Sequence, residues 1–286
     1  MKKHIYFCLL FFAAAALHAQ RSYVPTPADL DKLVATKTFV VLDDSPLSDF
    51  NMEMKEVMPR EWKLTEFDYI KLADFPEKSK DPSSSFIYTT YVTFDNDKTE
   101  SRYIFLHFSL GGDNVSLNDL RDIVSVPLGY AGVDPDHYNY KLGLFVRFIQ
   151  KHINLIKEKP ELISSNVFKH YNDNMADVKD KTLYLIDDEL AKDVGTAARI
   201  KSAYPYKFKL VDREEIKDAI TEGNHDVVFL HKVGPEGKKL KARCYKILIG
   251  AGDAEFYYFN YHMVSAKKQD GFLSSDFKKL AKSKQK

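Results

Sequence analysis

Two pairs of adjacent aspartates are the strongest candidates for chemistry in this chain. Asp43-Asp44 and Asp187-Asp188 each follow a short apolar run that is typical of a buried β-strand. In open α/β sheets, ligands bind beyond the carboxyl ends of the parallel strands, where both pairs are expected to lie. Paired carboxylates there would offer the oxygen ligands that divalent cations prefer. The simpler alternative is that each pair caps the following helix, because aspartate oxygens accept the first free amides of a helix.

The residues around the two pairs are repeated along the chain. Lys37–Asp44 returns as Lys181–Asp188, and in both segments Lys-Thr opens the apolar run and the Asp pair closes it. Two further matches follow at nearly constant spacing: Trp62-Lys63-Leu64 with Phe208-Lys209-Leu210, and Gly112-Asp113 with Gly252-Asp253. A duplication of about half the chain predicts two similar domains.

Other residues with catalytic or metal-binding chemistry lack the required spacing. The glycine-aspartate segments at 111–114 and 250–253 end strands and contain no Lys-Ser/Thr, so they predict turns instead of phosphate loops. The histidines are scattered, and only a cluster of His107 with His231 or His262 stays open as a metal site. No Gly-x-Ser-x-Gly motif of a nucleophilic hydrolase occurs. We therefore predict no catalytic residue and no cofactor.

The first nineteen residues are predicted to be a signal peptide. Lys2-Lys3 precedes an apolar run, Ile5–Leu17, that is too short to span a bilayer, and Ala19 is the small residue before the cleavage site. Cleavage would remove these two lysines from 42 basic residues and none of 41 acidic ones, which leaves a formal net charge of −1. A chain this balanced lacks the basic surface of a nucleic-acid-binding protein. We expect an exported protein, periplasmic or secreted, with no transmembrane span and no nucleic-acid partner.

The pattern of apolar residues predicts the elements that position these groups. Thr26 and Pro27 begin a helix, as its N-cap and first helical residue. The first copy continues with strands at 38–42, from 62–64, at 86–94 and at 103–110, a helix at 52–58 and a turn at 95–98. The second copy has strands at 183–186, 208–211, 226–230, 242–249 and 255–264, and helices at 189–202 and 213–221. This order, β-α-β-α-β-β-β, predicts parallel pairing followed by an antiparallel meander.

A long amphipathic helix is predicted between the copies. Apolar residues recur at three- and four-residue steps from Leu142 to Ile156, and Pro160 ends the pattern. A shorter, lysine-rich helix at 272–286 is its counterpart after the second copy. We therefore predict an α/β fold with mixed sheets (α+β), in two tandem βαβαβββ-like repeats that pack as a pseudo-twofold pair. The expected domains are 20–135 and 161–286, joined by the helix at 136–160.

The second copy resembles the amino-terminal α/β domain of TolB-type periplasmic proteins and of curli-transport lipoproteins. The residues that carry the resemblance are Tyr206–Arg213 with its Val-Asp-Arg end, Ile216, Ala219, Asn224–Leu230, and the glycine-containing hairpin from Gly234 to Ile249. The resemblance extends over Lys181–Val264 and, more faintly, over the first copy. No propeller-like repeats follow, so the whole TolB architecture is not implied. The resemblance implies a non-catalytic envelope domain that makes protein contacts.

Aromatic residues crowd the hairpin strands and are the candidates for an interface. Alternation along a strand places neighbouring rings on both faces, so some of them must meet the other copy or a partner. The candidates are Tyr91, Tyr103, Tyr257, Tyr258 and Tyr261. Contact between the two copies within the chain is the alternative. Cys244 lies in an apolar strand pattern and is expected to be a buried small hydrophobic residue.

These observations favour an exported, non-enzymatic binding or scaffold protein of the cell envelope. Its partner would be another envelope protein, and a homodimer is also considered. The alternative is a metal-dependent hydrolase or a small-ligand-binding protein that uses the Asp pairs at the strand ends.

Overall fold

A computed structural model describes residues 24–45, 48–94, 99, 101–112, 120–164, 167–236 and 240–284. The predicted signal peptide, the turn at 95–98 and Asp113-Asn114 lie outside these ranges. Within the described ranges, no helix is both long and apolar enough to cross a lipid bilayer.

The first repeat is a five-stranded mixed sheet with helices on both faces. Its elements are α1 (Pro27–Leu33), β1 (Lys37–Leu42), α2 (Asp49–Glu61), β2 (Phe67–Lys71), α3 (Phe75–Lys78), β3 (Ser84–Val92), β4 (Tyr103–Leu110), β5 (Arg121–Tyr130) and α4 (Leu142–Glu158). The strand order is β2-β1-β3-β4-β5. Strand β1 is parallel to β2 and β3, whereas β3, β4 and β5 are antiparallel.

The second repeat has the same topology. Its elements are α5 (Glu161–Ser164), α6 (Val167–Asn172), β6 (Thr182–Leu185), α7 (Ala197–Ala203), β7 (Phe208–Leu210), α8 (Arg213–Thr221), β8 (Val227–Val233), β9 (Arg243–Gly250), β10 (Phe256–Met263) and α9 (Ser274–Lys282). The strand order β10-β9-β8-β6-β7 has the parallel and antiparallel pairs at equivalent places. The predicted α/β fold in two similar halves is confirmed.

Several predicted boundaries agree closely with the structure. Thr26 is the N-cap of α1, and its hydroxyl accepts the amide of Asp29 while the Asp29 carboxylate accepts the amide of Thr26. This reciprocal capping box satisfies two amides that the helix leaves unpaired. Strand β4 and helix α8 have the predicted bounds. The long helix between the copies is α4, which ends before Pro160.

The predicted second strand at 62–64 is wrong. Trp62 is the C-cap of α2, its indole donates to the Thr65 hydroxyl at 3.0 Å, and its ring lies 5.5 Å from that of Phe108. Strand β2 begins later, at Phe67. The apolar signal at 62–64 therefore came from a side chain that fills the core and not from a strand.

The predicted helix at 189–202 is also wrong. Two 3₁₀ turns, Asp187–Glu189 and Lys192–Val194, occupy its first half, and α7 begins only after the N-cap Thr196. The amide of Ala191 donates to the carbonyl of Phe272 at 3.1 Å. Because this backbone bonds to a distant segment, it cannot continue the i to i−4 pattern of an α-helix.

The hydrogen bonds of β1 and β6 give an equivalence between the two repeats that is shifted by one residue from the sequence match. The Thr38 amide donates to Glu66 in the segment leading into β2, and the equivalent bond in the second repeat is donated by Leu183 to Lys207. Thr38 is therefore equivalent to Leu183 and not to Thr182. A one-residue shift moves every side chain to the other face of a strand. Continued to the strand ends, the same shift makes Asp43 equivalent to Asp188.

Helix α4 lies between the two sheets. Its buried residues belong to one apolar cluster that includes residues of both repeats. Phe148 of α4 stacks on Phe256 of β10 with a centroid distance of 3.6 Å and an interplanar angle of 5°. The Arg147 guanidinium donates to the carbonyls of Ala251 and Gly252 at 3.2 and 3.0 Å. The helix therefore joins the two repeats through their cores.

The two repeats meet through non-equivalent faces. Helices α2 and α4 cover one face of the first sheet, and their counterparts α7 and α9 cover the equivalent face of the second. The face of the second sheet that packs with α4 is the opposite one, with Ile216 of α8 and Phe229 of β8. A twofold axis would bring equivalent faces together. The expected pseudo-twofold packing is therefore replaced by a head-to-tail stack.

Candidate ligand-binding site

A cavity of ≈660 Å³ opens at the carboxyl ends of β1 and β3. This volume is in the range of small-molecule sites. The cavity lies at the edge of the sheet where the sequence predicted a ligand. Its walls are lined by Val41, Leu42, Asp43, Ser48, Asp49, Phe50, Leu72, Phe75, Tyr88, Thr89, Thr90, Tyr91, Ile104, Leu128, Pro135, Tyr138 and Asn139.

The cavity exists because β3 is longer than its neighbour β1. The last paired residues of these strands are Val40 and Ile87, but β3 continues to Val92. The chain leaving β1 is fixed by the buried Asn51 of α2. The Asn51 side chain accepts the Asp43 amide at 2.8 Å and donates to the Asp43 and Ser45 carbonyls at 3.0 and 2.7 Å. These bonds hold Asp43 at the cavity wall.

Tyr138 supplies a neutral phenol at the other side of the cavity. Burial, together with the nearby Tyr91, Asp43 and Asp134, raises the pKa of Tyr138 to about 12. The hydroxyl therefore keeps its proton at neutral pH and can donate a hydrogen bond. A Cβ at Gly129 would lie 2.6 Å from the Tyr138 ring, so only glycine lets the ring pack against β5.

Asn139 carries a buried acceptor and lines both this cavity and a neighbouring one of ≈450 Å³. Its side-chain Oδ1 has no hydrogen-bond partner among the described residues, although the residue is only 6% exposed. A buried polar atom without a partner costs about 1–3 kcal/mol. A ligand that donates a hydrogen bond here would recover this free energy.

The charge of the cavity is negative. Asp43 and Asp49 contribute carboxylates, and none of the described lining residues is Lys, Arg or His. Aromatic rings of Phe50, Phe75 and Tyr91 also line the space. Carboxylates beside aromatic faces attract cations.

Of the four predicted aspartates, the structure places one in this cavity. Asp43 lines it, whereas Asp44 does not. Asp188 forms an ion pair with Arg213 at 2.9 Å and lines a separate cavity of ≈500 Å³ in the second repeat. Asp187 opens a 3₁₀ turn. The two pairs therefore do not share a site.

Helix capping by the Asp pairs, the simpler alternative, is wrong. The N-cap of α2 is Ser48, whose hydroxyl accepts the Asn51 amide at 3.1 Å, and the N-cap of α7 is Thr196. Several residues separate each cap from its Asp pair. No group of three or more His, Cys, Asp or Glu side chains within the described ranges is placed to hold a metal ion.

The histidines do not form the considered cluster. His231 Nε2 donates to the Pro127 carbonyl at 3.0 Å, and His262 Nε2 donates to the Gln269 carbonyl at 2.9 Å. His107 bonds instead to Thr90 and Asp122. Each imidazole therefore has its own partners. The buried Cys244 is a free thiol whose pKa is raised by burial, which confirms it as a small hydrophobic residue.

Three of the five interface candidates are buried within the chain: Tyr103, Tyr257 and Tyr258. The Tyr103 hydroxyl of β4 accepts the Arg243 amide of β9 at 2.6 Å, and its ring meets that of Tyr245 edge to face at 5.6 Å. This contact joins the two copies, as the alternative interpretation expected. Tyr91 and Tyr261 are 64% and 48% exposed and remain accessible to a partner.

Sequence reasoning missed a group of buried charges between the repeats. Lys141, in the 3₁₀ turn before α4, lies 3.9 Å from Glu189 of the second repeat, and both side chains are buried. Burial lowers the pKa of Lys141 and raises that of Glu189. Lys232 of β8 pairs with Asp270 at 2.8 Å. Lys141, Glu189 and Asp270 lie in turns or loops, where no apolar period marks a residue as buried.

Comparison of the chain with models of known protein families, with curated proteins and with solved structures finds no match. The resemblance to TolB-type and curli-transport domains therefore stays a prediction.

Proposed function

We propose that this chain binds a small organic cation with an apolar part in the cavity at the ends of β1 and β3. The observation that carries the proposal is the combination of a carboxylate-lined aromatic cavity with the unpartnered Oδ1 of Asn139. A small ligand at strand-end aspartates is one of the functions that the sequence suggested. Divalent metal is not part of this proposal.

The lining residues suggest how such a ligand is held. The carboxylate of Asp43 balances the positive charge, and the ring of Tyr91, which already lies 5.2 Å from the Arg102 guanidinium, lines the site beside it. A hydrogen atom of an ammonium group satisfies Asn139 Oδ1. The apolar part of the ligand packs against Val41 and Phe75.

Three probes of equal size and different charge test the proposal: benzylamine, benzyl alcohol and benzoate. We expect calorimetric titration of the mature chain to give benzylamine the highest affinity, about three- to fivefold above the other two. Because Asp43 is exposed, its charge contributes no more than about 1 kcal/mol, which corresponds to about fivefold.

The substitution Asp43→Asn should lower benzylamine affinity by about three- to fivefold. Asp44→Asn is the matched control, because Asp44 is adjacent in sequence and does not line the cavity. Equal losses in both variants, or benzoate binding as tightly as benzylamine, would contradict the proposal.

A second candidate function is contact with another envelope protein through exposed aromatics, in an exported protein. The exposed Tyr261 favours this function. The guanidinium of Arg243 lies 3.5 Å from the ring centroid of Phe94 and 5.3 Å from that of Tyr261. Exposed aromatic residues and arginine are enriched at interfaces. A photocrosslinking residue at position 261 should capture one recurrent protein in cells. The same residue at the exposed Lys201 of α7 should not capture it.

A further inference from the structure

Thr90 ends a chain of hydrogen bonds that runs across three strands. The Thr90 hydroxyl of β3 lies 2.8 Å from His107 Nε2 of β4, and His107 Nδ1 lies 2.9 Å from the Asp122 carboxylate of β5. The ring of Tyr88 stacks on the imidazole at 5.0 Å with an interplanar angle of 16°. The three side chains therefore form a hydroxyl–imidazole–carboxylate relay in a fixed orientation.

The hydrogen bonds around Asp122 determine which imidazole nitrogen carries the proton. Burial alone would raise the pKa of Asp122, but hydrogen bonds from His107, Ser109 and Ser125 lower it below its ordinary value. Asp122 is therefore ionised and can only accept, so His107 Nδ1 holds a proton. In the neutral imidazole, His107 Nε2 is then the unprotonated nitrogen, which can accept the proton of the Thr90 hydroxyl. The relay thus places a base on that hydroxyl.

Thr90 belongs to the wall of the cavity. It lies on the part of β3 that extends past the end of β1. The Lys37 amide of β1 donates to the carbonyl of Ser83, the residue before β3. Backbone groups point to alternate sides along a strand, so the amides and carbonyls of the odd-numbered residues of β3 point toward β1. The amide of Tyr91, the residue after Thr90, therefore faces the side that β1 leaves open. An amide directly after a nucleophile is a recurrent donor to the oxyanion of acyl transfer.

The fold itself does not require polar residues at these positions. Strand pairing makes Thr90, His107 and Asp122 equivalent to residues of the second repeat that are all apolar: Val233, Ile247 and Phe256. All three of these residues are buried. Ile247 and Phe256 belong to the apolar cluster around α4, which covers this face in the second repeat and the opposite face in the first. The relay is a property of the first repeat alone.

We propose that Thr90 is a nucleophile that accepts an acyl group from an ester bound in the cavity, with His107 as general base and Asp122 as a positioning residue. This activity goes beyond ligand binding, although it uses the same cavity. No sequence motif indicates this activity, because the three residues lie on three separate strands.

The proposed reaction has two steps. In the first, Thr90 Oγ1 attacks the ester carbonyl carbon while its proton moves to His107 Nε2. The carbon–oxygen bond of the leaving alcohol then breaks, and the alcohol takes the proton from His107, which leaves an acyl ester on Thr90. In the second step, water attacks this ester with His107 again accepting the proton, and Thr90 recovers its own. The net reaction consumes one water and yields an acid and an alcohol.

A fluorophosphonate, which phosphonylates activated hydroxyl groups, tests the proposal with the mature chain. We expect tandem mass spectrometry to find one modified residue, Thr90. Thr90→Ser should keep the labelling and Thr90→Ala should abolish it. Thr93→Ala is the matched control, because Thr93 is an exposed threonine just past the end of β3 that does not line the cavity. This control should label at the wild-type rate.

The roles of His107 and Asp122 are tested by their effects on the labelling rate. His107→Gln should slow the labelling at least a hundredfold. Asp122→Asn should slow it similarly, because an amide can donate to Nδ1 and favour the tautomer with the proton on Nε2. A purely structural role of Asp122 would instead lower the melting temperature or the benzylamine affinity together with the labelling rate. We expect both of these to stay within twofold or a few degrees of the wild type.

Several results would overturn the proposal. These are no labelling of the wild type, labelling confined to a tyrosine, or equal rates in wild type and His107→Gln. The binding proposal fails separately: labelling at Thr90 without benzylamine selectivity would refute the cation site alone. Benzylamine selectivity without labelling would refute the acyl step alone.

Discussion

The contact between α4 and the second sheet predicts that the two repeats unfold as one unit. Phe256 of the second repeat is 3% exposed and stacks on Phe148 of α4 at 3.6 Å. Truncation of a buried phenylalanine to alanine costs about 3–5 kcal/mol, from lost burial and the cavity that remains. We expect Phe256→Ala to lower the free energy of unfolding of the whole chain by this amount.

The chain provides a local reporter for this test. Its single tryptophan, Trp62, belongs to the first repeat and is buried between α2 and the first sheet. Trp62 fluorescence follows the first repeat during urea unfolding, whereas far-UV circular dichroism follows both. With a urea dependence of about 3 kcal/mol per molar, the midpoint of both signals should fall by about 1–1.7 M.

Tyr261→Ala on the same strand is the matched control. Its side chain is half exposed, so its removal should change the free energy of unfolding by no more than about 0.5 kcal/mol. The reasoning is refuted if Phe256→Ala leaves the Trp62 transition at the wild-type midpoint while the circular dichroism becomes biphasic. That result would mean that the repeats unfold independently.

Two further predictions concern buried titratable groups. Lys246 and Asp276 form a buried pair at 2.6 Å, so Lys246→Met should cost about 3–5 kcal/mol by leaving a buried carboxylate. The double variant with Asp276→Leu should regain most of this loss in urea melts, and an equal loss would contradict the explanation. Burial, with His170 nearby, lowers the pKa of His152 to about 4. The unfolded chain therefore binds this proton first, and stability should fall as pH drops from about 6.5 to 4, by about 1.4 kcal/mol per pH unit from this group. His152→Gln should remove that part of the slope, and unchanged slopes would show that His152 is not responsible.

The sequence shows the duplication, but it does not show which residues of the first strands of the two repeats are equivalent. Strand β1 is buried on both faces, so its apolar residues show no alternation from which the inward face could be read. The Lys-Thr and Asp-Asp identities then set the match one residue from the hydrogen-bonded equivalence. Only the pairing of Thr38 with β2 and of Leu183 with β7 reveals the shift.

The position of Asp43 could be predicted because the ends of parallel strands follow directly from strand order. The rest of the cavity could not be predicted in this way. Thr90, His107 and Asp122 are brought together by the register of two antiparallel pairs, and each residue alone is ordinary for a strand. Asn139 lies in a turn after β5, and neither this turn nor β5 was predicted from the sequence.

The head-to-tail stack has an evolutionary consequence. The first repeat contacts its neighbour through one face of its sheet, and the second repeat makes that contact through the opposite face. This arrangement has no symmetry that closes it at two units. Repeats related in this way can in principle be added without limit, unless the end layers prevent it. Helix α4 is buried on both sides, whereas α9 presents the exposed Lys278 and Lys279 outward. The exposed lysines of α9 therefore make its outer face unsuited to packing a further sheet in the way that α4 packs the second one.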